Sequence, residues 1–450
     1  QYFFSAYTMP AQGLQMMMGM EGEEVMKKMF RQYFADHQFS HVTPAHLSNS
    51  FEQACDCDLS WYFDGWIHHA HEIDYRISHF DREKKEVTFV NHGPADIPLR
   101  FNTYKDGQQI REHTLNGFKG EKTIHLDHRA DEIHLYEGFM GVNRHWSSNI
   151  NPRSLIPRFG FMPKIESYRS PTIGITPAFG YNLADGFMAG VALSSGLLPQ
   201  QHFKFVVAPL YGKKSKKIRG YANFRYINDL KSGPFDKFLL SLAFDDFGYN
   251  VDTHYLFRDH YFRWEPTVAF RLKPTDTNSK ISQWLKYRYV NINQYYGRGQ
   301  NYEDKIYTEE HRSYGIHELS YQFRSDEVLK PLEAIGNVQG GKGFVRLNLR
   351  YKQHFVGKDK RRGVWVQAYG GWLPVYDSPD AAVGFTINGM ASSGYFSRDY
   401  MFDQWLGNRN AESGIFSHQV YEKDAGLKTL STIGIGDKWM IGGGASVALP

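Results

Sequence analysis

The sequence predicts a multi-domain, mainly β chain: a short helical segment, a small β-sandwich, then a transmembrane antiparallel β-barrel of about 12 strands, incomplete within this chain. Three observations predict it. A period-two alternation of apolar with small or polar residues begins near position 171 and recurs to the end of the chain. Aromatic residues make up 16%, with 29 Tyr and 33 Phe, which is high for a soluble enzyme and suits the girdles of a membrane barrel. Mean hydropathy is -0.52 and no run of about 18 apolar residues occurs, so no transmembrane helix is expected. A barrel escapes that criterion, because lipid-facing and lumen-facing residues alternate along its strands.

Positions 9–67 carry helical spacing. Leu14, Met17 and Met18 form a short apolar stripe. Val25, Met29, Phe30, Tyr33 and Phe34 follow, opposite Lys27, Lys28, Arg31 and Gln32. Thr43-Pro44 reads as a helix start, with Thr as N-cap and Pro at the first helical position. Leu47, Ser50, Phe51 and Ala54 continue one face, and Leu59 to Trp66 read as a short aromatic helix or turn. Cys55 and Cys57 stand too close for an easy mutual disulfide and are expected to be reduced in a small core.

These residues carry a resemblance. YTMPAQGLQMM, followed by GEEVMKKMFRQYFADHQFSHVTPAHLSNSFEQACDCDLSWYFDGWI, resembles the end of the catalytic domain of zinc aminopeptidases of the membrane alanyl aminopeptidase (gluzincin) family. Phe39, His41, Thr43-Pro44, Asp58, Leu59, Ser60, Trp61, Phe63 and Trp66 fill the places of that family's loop and closing signature. Met9 departs from the pattern, standing where Lys is common. The resemblance implies that Tyr7 is the catalytic tyrosine, donating a hydrogen bond to the oxyanion as zinc-bound water attacks a peptide carbonyl. A phenol keeps its proton at neutral pH and can stabilise developing negative charge.

The resemblance also implies zinc as cofactor, with ligands that are not in this chain. His-Glu-x-x-His would place two imidazoles on one metal and a Glu as general base. His71-Glu72 continues Ile-Asp-Tyr and His317-Glu318 continues Leu-Ser-Tyr, so neither pair completes the motif. In the family the motif precedes the tyrosine, and this chain is expected to be a piece of a longer polypeptide. His68, His69 and His71 have the wrong spacing for a rigid helical metal pair and read as solvated linker residues.

From 72 to about 140 the period changes. Ile73, Tyr75 and Ile77 alternate, then Val87 and Phe89, Leu99 and Phe101, Ile124 and Leu126, Ile133 and Leu135. Asn91 to Pro94 and Asp106-Gly107 are turns. This suits a small β-sandwich over 69–150, like the one that follows the catalytic domain in that family, with 1–68 as the helical end of the peptidase-like domain and 151–450 as the barrel. Asn143 to Arg153 read as a linker.

In the last part, Ile173, Ile175, Phe179 and Tyr181 alternate with Gly174, Thr176, Ala178 and Gly180. Asn182 and Asp185-Gly186 supply the turn to a second arm, Phe187 to Ser194. Val345, Leu347, Leu349 and Tyr351 stand against Arg346, Asn348, Arg350 and Lys352, charges that a lipid-spanning barrel would turn to a wet lumen. A long connection from about 388 to 430 is rich in Gly, Ser, Asp and Asn. The Pro177 to Phe187 opening resembles the start of barrels of the bacterial surface-antigen type. A large soluble β-sandwich or propeller is the competing architecture.

The expected function is therefore a fragment of an outer-membrane-anchored zinc metallopeptidase of aminopeptidase type, not competent as this chain alone. Its expected partners are outer-membrane lipid, a peptide substrate and other outer-membrane proteins. The alternatives are an inactive barrel serving as anchor or scaffold in a larger assembly, and a transport or translocation barrel. The near balance of 52 Lys+Arg against 48 Asp+Glu, a formal charge of +4, argues against nucleic acid as a partner.

Overall fold

The computed structural model describes residues 7, 9–69, 73–94, 96–136, 150–152, 156–163, 170–196, 201–230, 232–251, 258–276, 279–301, 306–356, 363–377, 379, 383–386, 390–391, 399–403, 420–421, 424 and 435–447. His71 and most of the expected linker at 143–153 lie outside them. The chain divides into two compact units, residues 1–159, 164–172 and 196–200 in one and 160–163, 173–195 and 201–450 in the other.

The first unit begins with α1 (Met9–Glu21), α2 (Glu23–His37) and α3 (Pro44–Cys55), followed by a π-helical segment, Trp61–His68. Gly22, at φ +91°, separates α1 from α2 in a conformation that a side chain would strain. The apolar stripes bury Met16, Met17, Met26 and Met29, while Met18, Phe30 and Phe34 remain exposed. Phe51 is fully buried and meets Phe30 and Phe63 edge-on, with ring centroids 5.0 and 6.3 Å away. The helix start expected at Thr43-Pro44 is present, and the Thr43 N–H donates to His46 Nδ1 at 3.1 Å.

The cysteine expectation is overturned: Cys55 and Cys57 form a disulfide. Asp56 caps α3 in the left-handed conformation, φ +55° and ψ 44°. That reversal brings the two Cα atoms to 5.1 Å, a separation a disulfide accepts.

The strands of this unit are β1 (Tyr75–Asp81), β2 (Glu86–Asn91), β3 (Leu99–Lys105), β4 (Gln108–Leu115), β5 (Gly120–His125), β6 (Glu132–Leu135) and β7 (Ile150–Asn151). They form two antiparallel sheets, ordered β1-β2-β5 and β4-β3-β6-β7. Val87 and Phe89 of one sheet and Phe101 and Ile133 of the other join Met17, Met29 and Phe51 in one continuous apolar cluster. Helices and sheets of this unit thus share a core. Tyr75 sits in it with its hydroxyl donating to the Ile97 carbonyl at 2.8 Å, and burial pushes the phenol up to about 12.

The second unit is built on one 13-stranded sheet. Its strands are β8 (Arg158–Phe161), β9 (Thr172–Asn182), β10 (Gly186–Ser195), β11 (Phe203–Gly212), β12 (Ile218–Asp229), β13 (Phe235–Val251), β14 (Arg258–Leu272), β15 (Ile281–Asn301), β16 (Ile306–Ser325), β17 (Leu332–Gly341), β18 (Phe344–Val356) and β19 (Gly363–Tyr376). Four two-residue strands follow, β20 (Phe385–Thr386), β21 (Met390–Ala391), β22 (Val420–Tyr421) and β23 (Ile435–Gly436), and then β24 (Trp439–Val447). Sequence neighbours are adjacent from β8 to β19, and β24 pairs with β19. Every pairing described in detail is antiparallel. The chain is therefore mainly β.

The expected hairpin forms, with Phe179 opposite Ala189 and Tyr181 opposite Phe187. Its turn is pinned by side chains. The Asp185 N–H donates to Asn182 Oδ1 at 2.6 Å, and Asp185 Oδ2 accepts from the Gly248 N–H of β13 at 2.7 Å.

Candidate functional site

The two faces of the 13-stranded sheet differ in kind. On β18, Leu349 is 58% exposed while Arg346 is 3% exposed. Phe179, Phe187, Leu240, Leu319, Trp372, Trp439 and Ile441 are exposed as well. An ordinary water-soluble sheet buries its apolar face and solvates its charges. Here Leu349, Trp439 and Ile441 lie outside, while Arg346 and Glu318 are enclosed together with an apolar cluster that includes Val290, Ile292 and Ile316.

The enclosed face assembles one polar row. Direct cross-strand pairing places Arg288 opposite Glu318, Glu318 opposite Gln339, and Gln339 opposite Arg346. Side chains opposite each other on one face can touch, and these do. Arg288 Nε donates to Glu318 Oε1 at 2.7 Å, Gln339 Nε2 donates to Glu318 Oε2 at 2.6 Å, and Arg346 Nη1 donates to Gln339 Oε1 at 3.3 Å. On β14, Arg263 Nη1 donates to Asp245 Oδ2 at 2.9 Å, and Arg263 also pairs with Glu265.

Segments from the connection between β19 and β24 close over this row. Asp403 accepts from Arg263 Nη2 at 2.8 Å and from Arg288 Nη1 and Nη2 at 2.9 and 2.7 Å. Asp424 accepts from Arg346 Nη2 at 2.7 Å. The Tyr400 hydroxyl accepts from Arg346 Nη1 at 3.0 Å and bonds Gln339, and the Tyr400 carbonyl accepts from the Tyr314 hydroxyl at 2.8 Å. Phe402 stacks on Tyr261 with centroids 4.1 Å apart, and the Arg346 guanidinium lies 4.4 Å from the centre of the Phe385 ring. Such charge-assisted and bidentate contacts fix both partners, so the connection is strapped to the sheet wall.

Next to this cluster lies a chamber of about 600 Å³. Residues of eight consecutive strands, β12 to β19, line it together with Asp399, Tyr400, Met401, Asp403 and Asp424. The sheet therefore curves around it.

Tyr7, expected to be catalytic, stands just ahead of α1 in the first unit and is 59% exposed. Among the described residues no group of three or more His, Cys, Asp or Glu side chains is placed to hold a metal ion, so the zinc that the resemblance implies has no ligand set there. His68 and His69 are exposed at the end of the π-helical segment. Glu318, noted in the sequence only as part of an incomplete zinc motif, belongs to the enclosed polar row instead.

The sheets of the first unit carry a smaller polar cluster. Asp127 accepts from His128 Nδ1 at 2.6 Å and pairs with Arg111, and these contacts hold its carboxyl down at about 2. His128 Nε2 bonds the Thr103 hydroxyl at 2.8 Å. His113 stacks on Phe101 at 4.6 Å, and burial lowers its pKa, helped by the positive charges of His128 and Arg111.

Compared with known proteins, the chain matches no protein-family model and no curated protein.

Proposed function

We propose that the 13-stranded sheet is an outer-membrane β-barrel and that it anchors an N-terminal unit of the zinc aminopeptidase type. The observation that carries the membrane part is the inverted sheet: Leu349 and Trp439 outside, Arg346 and Glu318 enclosed. In lipid that arrangement satisfies both faces; in water it satisfies neither. Antiparallel pairing supplies the backbone partners between neighbouring strands from β9 to β19 and on to β24, and no described helix is long and apolar enough to cross a membrane. The Cys55–Cys57 bridge supports an oxidising compartment outside the cytoplasm for the first unit. Peptide-bond hydrolysis rests on the resemblance around Tyr7 and Trp61 to Trp66, with zinc and general base supplied by sequence outside this chain.

The test uses lipids brominated along the acyl chains, which quench tryptophan only on contact. Trp365, Trp372 and Trp439 are exposed on β19 and β24. In vesicles of brominated phosphatidylcholine the chain is expected to lose a large part of its tryptophan fluorescence. Replacing Trp372 and Trp439 by Phe should remove much of that quenching. Unquenched fluorescence from protein bound to the vesicles would overturn the membrane reading.

A further inference from the structure

We propose that the luminal chamber binds a small solute carrying two or more oxyanion groups, phosphate or carboxylate. Four of the five acids that line the chamber are paired with arginine, and the fifth, Asp399, accepts from the Asp403 N–H at 3.1 Å. Asp403 is taken by Arg263 and Arg288, Asp424 by Arg346, Glu265 by Arg263 and Arg288, and Glu318 by Arg288 and Gln339. Three further cations line the same space: Arg225 of β12, Lys286 of β15 and Arg350 of β18. Among the described residues none of the three has a carboxylate in hydrogen-bond or ion-pair contact. Lys286 and Arg350 are half-buried. Arg225 is exposed and Lys286 feels the Asp403 charge without bonding to it, so each cation keeps N–H donors that an oxyanion can take through charge-assisted hydrogen bonds.

Geometry sets the size of the solute. Lys286 stands three strands from Arg225 on one side and three from Arg350 on the other, which at the spacing of neighbouring strands is about 14 Å along the wall in each direction. A lone phosphate cannot reach two of them unless the long side chains converge, whereas two linked oxyanions can. The chamber's 600 Å³ corresponds to the liquid volume of about twenty water molecules. Ser241 and Asn337 line the wall between the cations and offer neutral donors to the rest of such a solute.

This inference depends on the sheet and its lining and stands or falls apart from the peptidase reading. The experiment is isothermal titration of the intact, detergent-solubilised chain at low salt, with inorganic pyrophosphate in one arm and citrate in the other. Saturable binding is expected in at least one arm. Pyrophosphate alone would assign phosphate and citrate alone carboxylate. Lys286→Gln and Arg350→Gln should each weaken binding by about tenfold or more, and Lys286→Arg should retain it. Arg324→Gln, which removes only an exposed pair with Asp326, should leave affinity unchanged. Circular dichroism checks that each variant keeps its strands, and Arg350→Gln decides the matter if Lys286→Gln misfolds. No saturable heat from either anion, or equal affinity in the folded Gln variants, would overturn the proposal.

Discussion

Asp403 stands between two guanidinium groups that are themselves nearly buried, Arg263 at 8% and Arg288 at 11% side-chain exposure. Removing its charge weakens its contacts to both arginines, which keep Asp245, Glu265 and Glu318 as partners, and a hydrogen bond to a charged group is worth about 1.5–3 kcal/mol. Asp403→Asn is therefore expected to lower unfolding stability by about that amount in a denaturant titration of the intact folded chain. Equal stability would mean that the carboxylate is not holding the strap. None of this was legible in the sequence. Asp403 lies 140 positions from Arg263 and 115 from Arg288, and its neighbourhood reads only as a polar connection. No local spacing rule couples residues so far apart, and the pairing exists only once the sheet has curved. Arg346 was half legible: period two put it opposite Leu347 and Leu349, but its partners Asp424 and Tyr400 come from the same distant connection.

At the scale of elements, alternation was the readable signal. The hairpin of β9 and β10 has the turn that its Asn and Asp-Gly chemistry predicts, and β18 has the two faces its sequence predicts. The helix starting at Pro44 was readable from its cap. The reversal after α3 was not, because a left-handed Asp56 is a backbone conformation that composition does not announce. Alternation fixes that a strand has two faces. It does not fix which solvent each face meets, and that distinction decides the membrane question. Leu349 offers the measurement. If its face meets acyl chains, Leu349→Lys should cost about 2–4 kcal/mol in lipid, as cations do at the mid-depth of a barrel wall. On a water-facing strand the same change would be neutral within about 0.5 kcal/mol. Unfolding of the two proteins from vesicles of one lipid separates the cases, and a neutral result would remove the lipid-facing assignment of this strand.

At the scale of the whole molecule, the first unit is where hydrolysis would have to be carried out. Its helices and its two sheets share one apolar core, from Met17 and Phe51 to Phe101 and Ile133. Tyr7 stands at the beginning of the peptidase-like segment and is exposed, as a group that must reach a substrate carbonyl would be. Its proposed role is a single donated hydrogen bond to an oxyanion, and losing one such donor typically costs about 10²–10³ in kcat. If the proposed peptidase carries a His-Glu-x-x-His outside this sequence, Tyr7→Phe in that zinc-loaded protein should therefore lower peptide turnover by about that factor. The phenyl ring is kept, so folding, zinc content and KM should stay as they were. That pattern belongs to an interaction made only in the transition state. A structural role would move stability together with kcat, and a scaffold without hydrolytic function would give no turnover to lose. Unchanged kcat in a zinc-loaded, active protein would remove Tyr7 from the proposed mechanism.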